Sequence, residues 1–194
     1  MQITKEFDDT AAWLKALTKG LPVAIMPNSL AAEVLGESSN AISKKVKKGD
    51  VAVISIGKNR YISADYVHDL VDKGIQRKAL IIKGLERVAR NGSTIFYGEL
   101  MEMADMNWKS PPDRAKIGAI LGKISRESYE EDGILLSSLV HRKGPEPTSP
   151  GPGYITLIEG MSDDYDDPDL YDEDDLDAVI GRHMEAVWEH YQAQ

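Results

Sequence analysis

The sequence predicts an α+β chain, mainly helical, built from two successive blocks of helices that each end in a hairpin. Three observations predict it. Short apolar stripes at helical spacing recur between cap residues and glycines. Two β-branched or leucine-rich runs, "VAVISI" and "ILLSSLVHRK", each follow a set of such helices. A last stripe, Leu176, Ile180, Met184, Val187 and Tyr191, comes after a run of acids and marks a separate C-terminal helix.

In the first block, Asp8 or Asp9 caps a helix over Asp9–Lys19, with Trp13, Leu14 and Leu17 as its stripe and Gly20 as its end. "LPVAIM" reads as extended. Asn28 or Ser29 starts a second helix, stopped by Gly36, and Ser38 or Ser39 starts a third that ends at Gly49. "VAVISI", the turn "GKNR" and "YIS" form a hairpin, and Ser63 caps "ADYVHDLVDKG", with Gly74 as its stop. Helix, turn, helix, hairpin, helix is the order of a winged helix-turn-helix.

The second block repeats that order. A helix over Arg77–Arg90 buries Leu80, Ile81, Leu85 and Val88; "FYGELMEMADM" is a short helix; "DRAKIGAILGKISRESYEEDG" is a longer one with Ile117, Ile120, Leu121 and Ile124 inward. "ILLSSLVHRK" and "YITLIE" are expected to pair as strands across the stiff loop "GPEPTSPGPG". The expected layout is therefore two tandem winged helix-turn-helix domains, residues 1–75 and 76–158. An acidic linker over 159–177, expected to be disordered, and a C-terminal amphipathic helix over 178–194 follow them.

Charge separates these parts. The net charge is -9, yet residues 159–177 hold 11 of the 32 acids and no Lys or Arg. Residues 1–158 carry 22 basic and 19 acidic side chains, and within 41–60 the ratio is six to one. A local basic patch attracts phosphate whatever the total charge. The acidic segment reads three ways: a phosphate mimic folding back on a basic helix, a recruiter of a protein partner, or a solubilising linker.

There are no cysteines, which removes disulfides, thiolate metal sites and cysteine nucleophiles. No apolar run reaches the roughly 18 residues of a membrane span, and "MQITKEFDDT" lacks the pattern of a secretory signal. The expected location is the cytoplasm, with no membrane partner. His183 and His190 are seven apart, where a helical metal pair wants three or four. No nucleophile-elbow, phosphate-loop, dinucleotide or calcium-loop motif occurs. The chain is expected to be no enzyme and to need no cofactor or metal.

"AAEVLG", "SSNAISKKVKKG" and "VAVISIGKNRYIS" resemble the excisionase-like branch of the MerR-type winged helix-turn-helix family, and "ADYVHDLV" matches the helix that often follows its wing. Ala31 and Ala32 allow a close helix crossing and Gly36 a tight turn. Ile42 and Val46 turn inward, leaving Ser39, Asn40, Ser43, Lys44 and Lys47 outward, with Lys48 beside them. Short polar groups near a recognition-helix N-terminus reach base edges, and lysines reach phosphates. Lys58 and Arg60 at the wing tip would grip the adjacent backbone. Lysines at a helix C-terminus also simply complement its dipole. The resemblance implies DNA rather than RNA.

"STIFYGELMEMADM", "RAKIGAILGKI" and "LLSSLVHRKG" resemble the winged-helix DNA-binding domain of alkyltransferase and alkyltransferase-like proteins. Ser137 and Ser138 stand near where that family has its reactive Cys and His, so the chemistry does not carry over. The family's tyrosine holds a displaced nucleotide and would be Tyr97; Arg114 lies one residue upstream of its base-displacing arginine. Arg114, Lys116, Lys123 and Arg126 are spaced along the third helix to meet phosphates, and Arg142 and Lys143 enter the wing. A charged outer face of an ordinary amphipathic helix is the alternative.

The expectation is a DNA-binding protein, a transcriptional regulator or DNA-architectural factor of phage or mobile-element type. The rival is a protein-interaction adaptor, like the small subunit of a phage DNA-packaging machine, whose acidic C-terminal region recruits a partner. A third reading is a non-catalytic sensor of damaged bases. The expected partner is double-stranded DNA, with a protein partner for the acidic segment in the rival reading. The C-terminal helix is expected either to dock on its own second domain or to pair with a second copy of the chain.

Overall fold

Asp9, Ser38 and Ser110 each accept a hydrogen bond from the amide three residues on, of Ala12, Ala41 and Asp113, and so start three of the eight α-helices among the residues described. The computed structural model describes residues 5–144 and 149–193. It is mainly helical, with 65% of the described residues in helices and small sheets besides. The chain divides into two units, Met1–Gln76 and Arg77–Gln194.

The first unit is a sheet covered on both faces. Its strands are β1 (Lys5–Phe7), β2 (Ile25–Met26), β3 (Val53–Ile56) and β4 (Asn59–Ser63), in the order β1-β3-β4-β2. β3 and β4 form the expected hairpin, with Val53 opposite Ile62 and Ile56 opposite Asn59. β1, read as neither helix nor strand in the sequence, pairs parallel with β3 through Lys5 and Ile54.

The two sheet faces feed two cores. One joins Val51 and Ile62 to Ala31 and Ala32 of α2 (Asn28–Leu35), Ile42 of α3 (Ser39–Lys48) and Val67 of α4 (Ala64–Arg90). The other joins Ile54 and Ile56 to Ala16 of α1 (Thr10–Thr18), Val23 and the Trp13 ring. Trp13 donates its indole N–H to the Val23 carbonyl at 2.8 Å, which fixes α1 on this face. A strand covered on both sides buries consecutive residues, and Val53 and Ile54 are both buried.

α4 runs from Ala64 to Arg90 without the expected stop at Gly74. A glycine in a helix interior costs only about 1 kcal/mol, and no proline follows it to break the ladder. Ile81, Leu85 and Val88 are buried as expected, whereas Leu80 stays 43% exposed.

In the second unit, β5 (Ile95–Phe96) leads into α5 (Tyr97–Met103), and α6 (Pro111–Asp132) ends at Gly133 in the left-handed conformation, φ 69°. The expected second hairpin is absent among the described residues. Leu136–Leu139 form a 3₁₀ turn, and β6 (Val140–His141) pairs parallel with β5. A single antiparallel bridge joins His141 to Pro150.

"YITLIE" is not a strand. It lies in α7 (Pro152–Tyr165), begun by Pro152 in its first turn. The buried residues of α7 are Tyr154, Ile158 and Met161, spaced four and three apart, so the stripe has helical period.

The acidic segment 159–177 is not a disordered linker either. It completes α7, passes through a 3₁₀ turn at Pro168–Leu170 and enters α8 (Leu176–Gln192). Leu170 is buried with Leu135, Ile158 and Val179. Its acids find partners as well: Tyr129 donates to Asp167, and Arg126 to Asp164 at 2.8 Å. α8 docks on its own unit, with Val187 in the core of Leu85 and Ile117 and Ile180 in that of Tyr154. Trp188 donates to the Ser93 carbonyl at 3.2 Å. Of the two expectations for this stripe, docking on its own unit and pairing with a second copy, the first is what is seen, and the unit extends to Gln194 instead of ending at 158.

Candidate functional site

Two regions gather the residues singled out in the sequence. In the first unit, α3 follows α2 across Gly36, whose φ of 63° gives the turn. Ile42 is buried and Val46 packs beside it, which fixes the rotation of α3. Ser39, Asn40, Lys44, Lys47 and Lys48 are then exposed on the outer side, and Ser43 is half-buried. Lys45, on the same helix, is ion-paired to Glu37 and belongs to the fold. Lys45, Lys47 and Lys48 occupy the last turn, where positive charge complements the carbonyl end of the helix dipole.

Lys58 and Arg60 are exposed at the β3–β4 hairpin. β1 brings acids to the same place. A shallow depression of about 520 Å³ is lined by Glu6 and Asp8 together with Lys58 and Arg60. Gly57 donates to the Phe7 carbonyl at 2.9 Å, which holds the two segments together. These two carboxylates temper the wing's positive charge and escape notice in the sequence, because nothing local announces that residues 5–7 join the sheet.

In the second unit, five candidates line one cleft of about 1200 Å³: Tyr97, Arg114, Arg126, Arg142 and Lys143. Its floor is apolar, from Phe96, Met101, Leu121, Val140, Tyr154 and Leu157, and Trp108 stands at its lip, 49% exposed. Gly118 and Gly122, one turn apart on α6, keep the cleft open. A Cβ at Gly118 would stand 3.8 Å from the Tyr97 hydroxyl, and one at Gly122 would stand 3.7 Å from Leu157 Cδ1. Burial pushes the Tyr97 hydroxyl pKa up, so it is a neutral donor at neutral pH.

Each cation here has a different situation. Arg114 donates to the Trp108 and Lys109 carbonyls at 3.1 and 3.3 Å, closing the turn before α6 while its charge stays uncompensated by those neutral acceptors. Arg126 is held by Asp164. Lys123 lies 3.8 Å from Glu127 and, like exposed Lys116, does not line the cleft. Arg142 and Lys143 are exposed. Of the four cations of α6, Arg114 and Arg126 thus line the cleft, Arg126 answered by Asp164, while Lys116 and Lys123 lie off it.

Ser137 lines the cleft where the alkyltransferase resemblance has its reactive group. Its hydroxyl is 2.5 Å from that of Ser125, a hydrogen bond within the core. Behind the cleft, the Tyr154 hydroxyl is 2.9 Å from His183 Nδ1. Burial lowers the His183 pKa to about 4, with Arg182 adding to the effect, so the ring is neutral near pH 7. Among the described residues no group of His, Asp or Glu is placed to hold a metal ion. No helix among them is long and apolar enough to cross a membrane.

The cleft itself was not legible in the sequence. The i, i+4 pair of glycines inside a helix, and Trp108 in a polar turn, are the two signals that point to it. Compared with known families, curated proteins and solved structures, the chain matches none.

Proposed function

We propose that the protein binds duplex DNA through its first unit, with α2 and α3 as a helix-turn-helix and β3–β4 as the wing. One observation carries the reading. Ile42 and Val46 rotate α3 so that Asn40, Lys44, Lys47 and Lys48 share the exposed side, and among the described residues none of these lysines is in an ion pair. An exposed cationic helix beside a hairpin bearing Lys58 and Arg60 suits a phosphate backbone, with Ser39 and Asn40 at the helix start for base edges. In this reading a regulator or architectural factor of phage or mobile-element type remains the expected role.

Fluorescence anisotropy with a labelled duplex at two salt concentrations tests it. Binding that weakens with salt, and weakens further in Lys44→Ala with Lys47→Ala, is the expected result. No binding at low salt, or binding without a salt slope, overturns the proposal.

The adaptor reading now rests on another feature than the acidic tail, which folds within its own unit. Leu14 and Leu17 on α1 are 47% and 39% exposed, and Leu21 just beyond is 51% exposed. Exposed leucines one turn apart are what a protein partner would cover. Leu14→Glu with Leu17→Glu would abolish such an association and leave DNA affinity unchanged.

A further inference from the structure

We propose that the second unit is a receptor for a small organic anion, with an aromatic or aliphatic body in its cleft and an oxyanion head at Arg142, Lys143 and Arg114. This goes beyond the DNA reading and does not depend on it.

The cleft has the composition of a ligand site. A volume of about 1200 Å³ is ample for a drug-sized molecule, since such pockets run to roughly 300–1,000 Å³. The floor supplies aromatic and aliphatic surface, and burial of a ring there is favourable by removal of apolar area from water. Polar groups sit at the mouth: Arg114, Arg142 and Lys143 on one hand, Glu99 and Glu102 on the other. The three cations outnumber the two acids, and Arg126, the fourth, is already answered by Asp164.

The charges decide the class of ligand. A neutral body alone would leave this cationic mouth without a counterpart, whereas a carboxylate or phosphate takes charge-assisted hydrogen bonds from guanidinium groups. The form of α6 supports a small molecule over a nucleic-acid groove. Its two glycines face the cavity side, whereas Lys116 and Lys123 do not line it. Glycines at 118 and 122 spare the space that side chains would fill, and neither has the positive φ that would demand glycine for the backbone. Their smallness therefore serves the cavity and not the turn.

The test uses the full chain and isothermal titration calorimetry with three probes of one shape: 2-naphthoate, 2-naphthyl phosphate and 2-naphthamide. One-to-one binding of an anionic probe is expected, with the neutral amide at least about tenfold weaker. The two anions distinguish a carboxylate site from a phosphate site. Arg142→Ala with Lys143→Ala should bring the better anion down to the level of the amide. Gly118→Leu should fill the floor and remove binding, and Lys116→Ala, on the same helix but off the cleft, should leave it unchanged. If Gly118→Leu does not fold, Thr156→Trp at the exposed mouth blocks the same space. No binding of any probe, equal binding of anion and amide, or binding that survives both blocking variants overturns the proposal. So does loss of duplex DNA affinity in the Arg142 and Lys143 variant with probe binding intact, since the cationic mouth would then be a nucleic-acid surface.

Discussion

Arg126 on α6 and Asp164 on α7 form a hydrogen-bonded ion pair, Nη1 to Oδ2 at 2.8 Å. The pair turns a cation expected to meet phosphate into a clasp between two helices of one unit. Beside it, Tyr129 donates to Asp167 and Tyr165 donates to Glu130 at 2.6 Å, so three contacts tie α6 to the acidic segment. With Arg126 40% and Asp164 58% exposed, solvent screens the pair. A double-mutant cycle of Arg126→Ala and Asp164→Ala, read by urea unfolding, should give a coupling of about 0.2–1 kcal/mol that shrinks with added salt. Duplex affinity should stay within about twofold in Arg126→Ala, because a charge spent internally contributes little to phosphate binding.

His183 predicts a pH dependence of stability. The ring takes a proton near pH 6.5 in the unfolded chain and near pH 4 in the folded one, lowered first by burial. Between those values the unfolded state binds more protons, so the contribution of neutral His183 is complete above about pH 6.5 and lost as pH falls toward 4. The full difference is on the order of 3 kcal/mol. Asp167 opposes it from the adjoining turn, and Arg182 reinforces it. Unfolding free energy measured in urea from pH 4 to 7 should rise with pH, and His183→Gln should flatten that rise by up to about one proton's slope.

The legible parts of the fold were those whose signals are local. Ser38, Ile42, Val46 and Gly49 each do in α3 what their type and spacing imply, and "VAVISIGKNRYIS" is the hairpin it resembles. "YITLIE" misled because its alternation over six letters mimics a strand. Extending the window to Met161 reveals Tyr154, Ile158 and Met161, the helical stripe that is buried. The acidic run misled for a related reason. Its composition is that of a disordered segment, but four residues within it, Met161, Tyr165, Leu170 and Tyr171, pack with Tyr129 of α6 and with Val179 and Ile180 of α8. β1 depends on the pairing of Lys5 with Ile54, and the cleft on distant residues such as Phe96 and Leu157 lining one cavity, for which no short motif exists.

Two glycines should answer oppositely to alanine. Gly36 has φ 63°, where an L side chain is strained, and no atom lies within 4 Å of its Cβ position. Gly36→Ala should therefore destabilise by about 1 kcal/mol through backbone conformation alone, and Gly36→Asn by less. Gly118 sits within α6, and its Cβ would meet only the Tyr97 hydroxyl at an ordinary 3.8 Å. Gly118→Ala should stabilise by about 0.5–1 kcal/mol from helix propensity. Thermal unfolding of the two variants checks both signs.

Asn40 and Lys47 share the exposed side of α3 but should affect DNA binding differently. Lys47, a flexible point charge, would neutralise one phosphate, so Lys47→Ala should lower affinity for every duplex alike. It should also reduce the slope of log K against log salt by about 0.9. Asn40 lies in the first turn, just after the Ser38 cap, where a side chain reaches base edges if the helix enters a major groove. An amide there pairs bidentately with adenine, and its loss costs roughly 1–3 kcal/mol of discrimination. Asn40→Ala should accordingly leave the salt slope unchanged and flatten the ranking among duplexes selected from a random pool. If Asn40→Ala alters the slope and not the ranking, α3 lies along the backbone without entering the groove.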